Sequence, residues 1–159
     1  MASENQFQFY RSLYDEENAR YGLLEARAKL YITILDFYLG ALAFKIADVK
    51  AFFSEFGVPM ALAAGAGSAF VLALMCCVVS VLIRTYEGIA DPEQLIAALG
   101  EKPQPDAEFF DDRIIDLAVA TNRNSRQNDR AAVALQAAGW LLLVGVLLHV
   151  VVFGFALSK

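Results

Sequence analysis

The sequence predicts an all-α integral membrane protein with three transmembrane helices, and three stretches of the chain carry that prediction. Val58 to Ile83 reads VPMALAAGAGSAFVLALMCCVVSVLI without a charged residue. Ala131 to Leu157 (AAVALQAAGWLLLVGVLLHVVVFGFAL) is interrupted only by Gln136 and His149. About 20 residues at 1.5 Å rise cover a hydrocarbon core about 30 Å thick, so each of these crosses with tilt to spare. Leu30 to Ile46 (LYITILDFYLGALAFKI) is shorter, carries Asp36, and supplies the third span. The whole chain is then one membrane domain: a helix over 1–29, spans over 30–46, 58–83 and 131–157, and a helical loop over 84–130.

Residues 1–29 have helix chemistry. Tyr10, Leu13, Tyr14, Tyr21, Leu24, Ala28 and Tyr31 recur at spacings of three, four and seven with charged residues between them. No Pro separates this stretch from Leu30, so the helix continues into the first span, with Gly22 as a weak point. Tyr21 and Tyr31 would flank the membrane interface, where aromatic rings are favoured. The polar start MASENQFQFYRSLYDEENAR has no apolar core near its beginning and is not read as a cleaved signal peptide.

After the second span, Asp91-Pro92-Glu93 reads as N-cap, first-turn proline and first-turn acid of a short helix that Gly100 and Pro103 end. Asp106 and Glu108, following Pro105, open another helix in which Phe110, Ile114, Leu117 and Thr121 mark one face. It runs without a breaker into the third span, so the third helix is expected to lie half outside and half inside the bilayer. Just before the span, Asn122, Asn124, Ser125 and Asn128 cluster where Asn is a poor helix former. They form either a solvated interfacial turn or a set of amides at helix contacts, where buried polar groups fix register and oligomer state.

Arg11, Arg20, Arg27 and Lys29 precede the first span, and Arg84, Lys102, Arg113, Arg123, Arg126 and Arg130 lie between the second and third. The other side holds only Lys45, Lys50 and Lys159. The positive-inside rule therefore places the N-terminus and the long loop in the cytoplasm, and the loop 47–57 and the C-terminus outside.

The net charge of -5 and the interleaving of basic with acidic residues argue against nucleic acid as a partner. With 58% hydrophobic and 19% charged residues, 159 residues leave no room for a separate soluble domain. One histidine, no Cys-x-x-Cys pair, no phosphate-cradling loop and no nucleophile-base spacing leave nothing on which to build an enzyme, a cofactor site or a metal site. Cys76 and Cys77 are adjacent in the middle span and read as small apolar packing residues.

Ionisable and polar residues at membrane depth are the remaining candidates, because they are costly there. Asp36 lies about 9 Å beyond Leu30 at helical rise, in the inner half of the bilayer. Ser80 or Cys77 is expected at its level on the second span, and Gln136 is the polar residue expected there on the third. Asp36 is either an interfacial acid or a group lining a water path or subunit contact. His149 falls in the outer half near Gly65 to Ser68, as a neutral ring bonded to a carbonyl or a serine, or as a further path residue; a lone histidine makes a poor metal site. Ala61 with Gly65, and Ala64 with Ser68, have the small-xxx-small spacing that lets helices approach, with Gly67 between them.

The segment FYRSLYDEENARYGLLEARAKLYITIL, an aromatic-acidic helix entering a span, and the Asn-rich NRNSRQNDRAAVALQAAGWLLL leading into the last span resemble the small bacterial membrane effectors of the SLATT and Pycsar transmembrane type. The resemblance covers most of the chain. It implies a multi-pass protein of the bacterial inner membrane that self-associates and disrupts that membrane in antiviral (antiphage) defence. The chain departs from the pattern in having no recognisable nucleotide-binding domain, so its trigger would come from a cytoplasmic protein regulator or its own cytoplasmic helices. The rival expectation is a non-conducting membrane adaptor that docks a cytoplasmic partner. Both take membrane lipid as surroundings, and the first requires a homo-oligomer, since three packed helices enclose no lumen.

Overall fold

A computed structural model of the chain describes residues 3–44, 60–82 and 106–157, and all described secondary structure is helical: α1 (Glu4–Phe44), α2 (Met60–Leu82) and α3 (Asp106–Leu157). The short helix expected after Asp91, the loop 47–57 and the chain ends lie outside the described residues. Two segments, Ala61–Leu82 of α2 and Phe110–Gly154 of α3, are long and apolar enough to cross a membrane. The core helix of a soluble protein would meet the same length and composition test but would be mostly buried. Here the most apolar windows of α2 and α3 are only 28% and 17% buried within the chain.

α1 begins in a capping box. Ser3 Oγ accepts the Gln6 amide at 3.4 Å, and Gln6 Oε1 accepts the Ser3 amide at 3.0 Å, so two amides at the helix start are satisfied reciprocally. The Ser-x-x-Gln spacing is plain in the sequence. With 41 residues in α1 and 52 in α3, neither helix contains a proline, and no break interrupts either.

The described residues divide into two compact units. The first joins α1 up to Leu23 with α3 up to Arg130; the second joins the rest of α1 from Leu24, α2, and α3 from Ala131. The division coincides with a change in composition. Among the described residues of the second unit the only charges are Glu25, Arg27, Lys29 and Asp36, all on α1.

In the first unit the core is Tyr14, Leu117 and Ala120, with Phe7 and Tyr10 packed against it. Phe7 meets Phe110, and Asn128 meets Glu17, so α1 and α3 run in the same direction. In the second unit Tyr31 lies against Gly139 and Tyr38 against His149, which again makes the two helices parallel. α2 runs the other way, with Phe70 beside Gly145 and Gly65 beside Leu148. The core of this unit is Leu24, Ala28, Leu35, Phe70, Ala73, Cys77, Leu135 and Ala138. Both thiols are free, Cys77 buried and Cys76 half-buried.

The seam residues of α1 recur at alternating steps of three and four: Tyr10, Tyr14, Glu17, Tyr21, Leu24, Ala28, Tyr31, Leu35 and Tyr38 are all buried or half-buried. On α3 the same steps join Leu117, Thr121, Asn124, Asn128, Ala131, Leu135, Ala138, Leu142, Gly145, His149 and Val152. Within each unit this 3.5-residue period is that of helices packed as in a left-handed coiled coil. On α3 Ala131 and Ala138 are fully buried, and the Tyr31 hydroxyl comes within 3.6 Å of where a Cβ on Gly139 would stand. Close approach over small residues is how helices gain packing energy where no water is displaced.

Candidate functional site

The chemistry-bearing residues fall at three places, one in the first unit and two in the second. In the first unit, Asn124 and Asn128 are each 1% exposed, whereas Asn122 faces outward. The Asn128 amide donates to the Glu17 carbonyl at 3.0 Å and to Glu17 Oε2 at 2.8 Å. Glu17 also faces Arg20 at 3.5 Å, and Arg20 donates to Asp129 at 2.7 Å. The hydrogen bond to Asp129 is the main reason the Arg20 guanidinium is held above its already high ordinary pKa. Asn124 and Asn128 therefore lie buried on the face that α3 turns to α1, and Asn122, named with them as a helix-contact residue, does not. A buried amide that bonds one particular partner penalises any slip of α1 along α3, because slipping leaves it unsatisfied.

The second place is an aromatic cluster contributed by all three helices of the second unit. The Tyr38 ring lies 4.6 Å from Phe70 and 5.2 Å from His149, and Phe70 lies 5.5 Å from His149. His149 Nδ1 is 3.2 Å from the Gly145 carbonyl, which can only accept, so Nδ1 carries a proton. In the neutral ring Nε2 then accepts from the Tyr38 hydroxyl, with which it is hydrogen-bonded. His149 is thus bonded to a carbonyl, one of the arrangements its position suggested, and its second partner is a tyrosine and not a serine. Gly145 makes room for Phe70, since a Cβ there would lie 2.8 Å from Cε1 and Cζ of the ring.

This cluster corrects the expected level of Asp36. Tyr38, two residues beyond Asp36, touches Phe70 and His149. Ser80 is ten residues from Phe70, about 15 Å along α2, and Gln136 stands with Tyr31 nearer the start of the second unit. Within the second unit Tyr31 meets Gly139 and Tyr38 meets His149, so Asp36, between those two positions on α1, stands beyond Gln136 on α3. Asp36 itself is exposed on α1 next to Phe37, which is 83% exposed. Ser80 is fully buried and donates to the Cys77 carbonyl of its own helix at 2.7 Å.

The small residues divide as well. Gly65 faces Leu148, whose Cδ1 would be 3.6 Å from an added Cβ, while Gly67 meets nothing within 4 Å. Ala61 and Ser68 are exposed. The small residues that α2 buries within the chain are Ala66, Ala69, Ala73, Cys77 and Ser80.

The third place is a groove of about 590 Å³ between α1 and α3 of the second unit. Arg27 and Tyr31, one turn apart on α1, form one wall; Gln136, Trp140 and Leu143 form the other. No protein-family model, no curated protein and no solved structure matches the chain.

Proposed function

We propose that this protein is a multi-pass inner-membrane effector with three spans and a cytoplasmic N-terminus, whose copies assemble to permeabilise the membrane. The observation that carries the reading is Asp36: it is exposed on α1 beside Ile34 and Phe37, themselves 51% and 83% exposed, within an apolar stretch. On insertion scales an Asp near mid-span costs roughly 2.5 to 3.5 kcal/mol, and water or another copy relieves a carboxylate that is turned away from its own chain. A ring of copies that gathers Asp36 around an axis provides that water. The distribution of Lys and Arg supports the orientation, and the resemblance to SLATT and Pycsar transmembrane effectors supports antiphage growth arrest as the outcome. The trigger would reach the cytoplasmic helices from a protein regulator.

Induced expression with growth, depolarisation and dye-leakage readouts tests this. Asp36→Leu should leave expression and oligomer size intact while abolishing arrest and leakage. If Asp36 is instead a helix-contact residue, Asp36→Leu alters assembly and Asp36→Asn behaves as wild type.

The adaptor reading draws on a separate observation. Ile115 and Val119, one turn apart on α3, are 60% and 45% exposed in the polar first unit. A docking partner would cover them. Wild-type protein that causes no depolarisation at high expression favours this reading.

A further inference from the structure

We propose that the groove between α1 and α3 is a site for an anionic phospholipid of the cytoplasmic leaflet; the inference rests on the membrane reading above. Among the described residues Arg27 is the only charged one lining the groove, which gives this lining a net positive charge. From Arg27 and Gln136 the lining passes to Tyr31 and Trp140 and then to Leu143. Cation, amide, indole and leucine follow the order of phosphate, ester carbonyl and acyl chain in a lipid. Gln136 and Leu143 are seven residues apart, about 10 Å, which matches the depth from headgroup to upper acyl chain. Amphipathic rings belong at that interface, and both ring-bearing residues of the lining stand between its polar and its apolar end. Gly139 shapes the floor, since the Tyr31 hydroxyl comes within 3.6 Å of where a Cβ would stand.

A helix from a second copy fits this groove less well. The described parts of α2 and of α3 beyond Arg130 hold no carboxylate to meet Arg27. On α1, Glu25 already pairs with Lys29 at 2.6 Å. Asp36 is nine residues beyond Arg27, about 13 Å deeper, and copies related by an axis normal to the membrane keep their depths equal. A lipid phosphate meets Arg27 at the right level.

Trp140 is the single tryptophan of the chain and lines the groove, so it reports directly on the occupant. Full-length protein is reconstituted in phosphatidylcholine vesicles that contain equal mole fractions of either dibrominated phosphatidylglycerol or dibrominated phosphatidylcholine, and quenching of Trp140 is measured. One basic residue near the surface contributes roughly 1 kcal/mol to anionic lipid binding, about a five-fold preference at 1.4 kcal/mol per ten-fold. Wild type should show that preference, Arg27→Gln should bring it close to unity, and Arg27→Lys should retain most of it. Lys29→Gln, which removes a charge outside the groove lining, should keep it. Equal quenching by the two lipids in wild type overturns the proposal, as does an equal loss in Lys29→Gln, which would reveal a general surface potential. Absence of quenching in helical protein that floats with the vesicles also overturns it, because another chain then fills the groove. Added glycerol phosphate should leave the quenching unchanged; displacement would make a free phosphate the ligand. Failure to float with vesicles defeats the membrane reading itself and is distinguishable from all of these.

Discussion

Gly145 offers the sharpest test of the helix packing. A methyl group there would sit 2.8 Å from Cε1 and Cζ of Phe70 and 3.1 Å from Cδ1. Carbon atoms pack best at about 3.5 to 4.0 Å, so the ring must retreat by nearly 1 Å. It has little room, since Phe70 is 4% exposed and its centroid stands 4.6 Å from Tyr38 and 5.5 Å from His149. Retreat therefore presses on the tyrosine whose hydroxyl holds His149. Overpacking of this kind costs about 1 to 3 kcal/mol, while Ala in place of Gly returns up to about 1 kcal/mol of helix propensity. Gly67→Ala is the reference, because nothing lies within 4 Å of a Cβ there and only the propensity gain remains. The difference between the two variants is then the overpacking cost alone, about 1 to 3 kcal/mol against Gly145→Ala. Equilibrium unfolding in mixed micelles, followed by circular dichroism, measures it. Adding Phe70→Leu, which removes the two nearest ring atoms, should recover part of the loss non-additively. Gly145→Ala as stable as Gly67→Ala would refute the three-helix packing around Phe70.

Two further outcomes follow from the same physical arguments. Asn128→Ala removes two hydrogen bonds to Glu17 and should cost about 1 to 3 kcal/mol in equilibrium unfolding, and Asn128→Leu, which leaves the same Glu17 groups unpaired, should not restore the loss; either variant as stable as wild type would remove the register role. For orientation, cysteine at Lys50 or Ser158 should react with an impermeant thiol reagent from outside and cysteine at Gln104 should not, and the reverse pattern would invert the topology.

Helix type and the two longest apolar stretches were legible because hydrophobicity over 20 or more residues is a strong signal that no local ambiguity disturbs. The seam was half legible. Tyr10, Tyr14, Tyr21, Leu24, Ala28 and Tyr31 stand out between charges, but Leu35 and Tyr38 continue the same seven-residue repeat in surroundings that are apolar on every side. Periodicity fades there because lipid-facing and helix-facing positions are chemically alike. The Tyr38, Phe70 and His149 cluster was invisible for a related reason: it depends on how far α1 is advanced along α3 within the second unit, where the surrounding residues are apolar and mark no register. The Asn pair did carry a signal, since polar residues that disfavour helix in the middle of a helix require a partner.

The packing of the second unit also constrains what a pore could be. Leu35, Ala73, Cys77 and Ala138 are fully buried, and Phe70 and Leu135 nearly so, which closes the space between the three helices to water. Ser80 spends its hydroxyl on its own helix, and His149 spends both ring nitrogens on Gly145 and Tyr38. No polar side chain of that interior is left to line a path through one chain, among the described residues. Any path must therefore run between copies, along surfaces that a single chain leaves open. Among the described charged residues of this unit, Asp36 is the one that stands deep in the apolar stretch and on such a surface. Phe37, Val146 and Leu147, which are also exposed, are apolar, and a constriction lined by such residues without Asp36 sheds water.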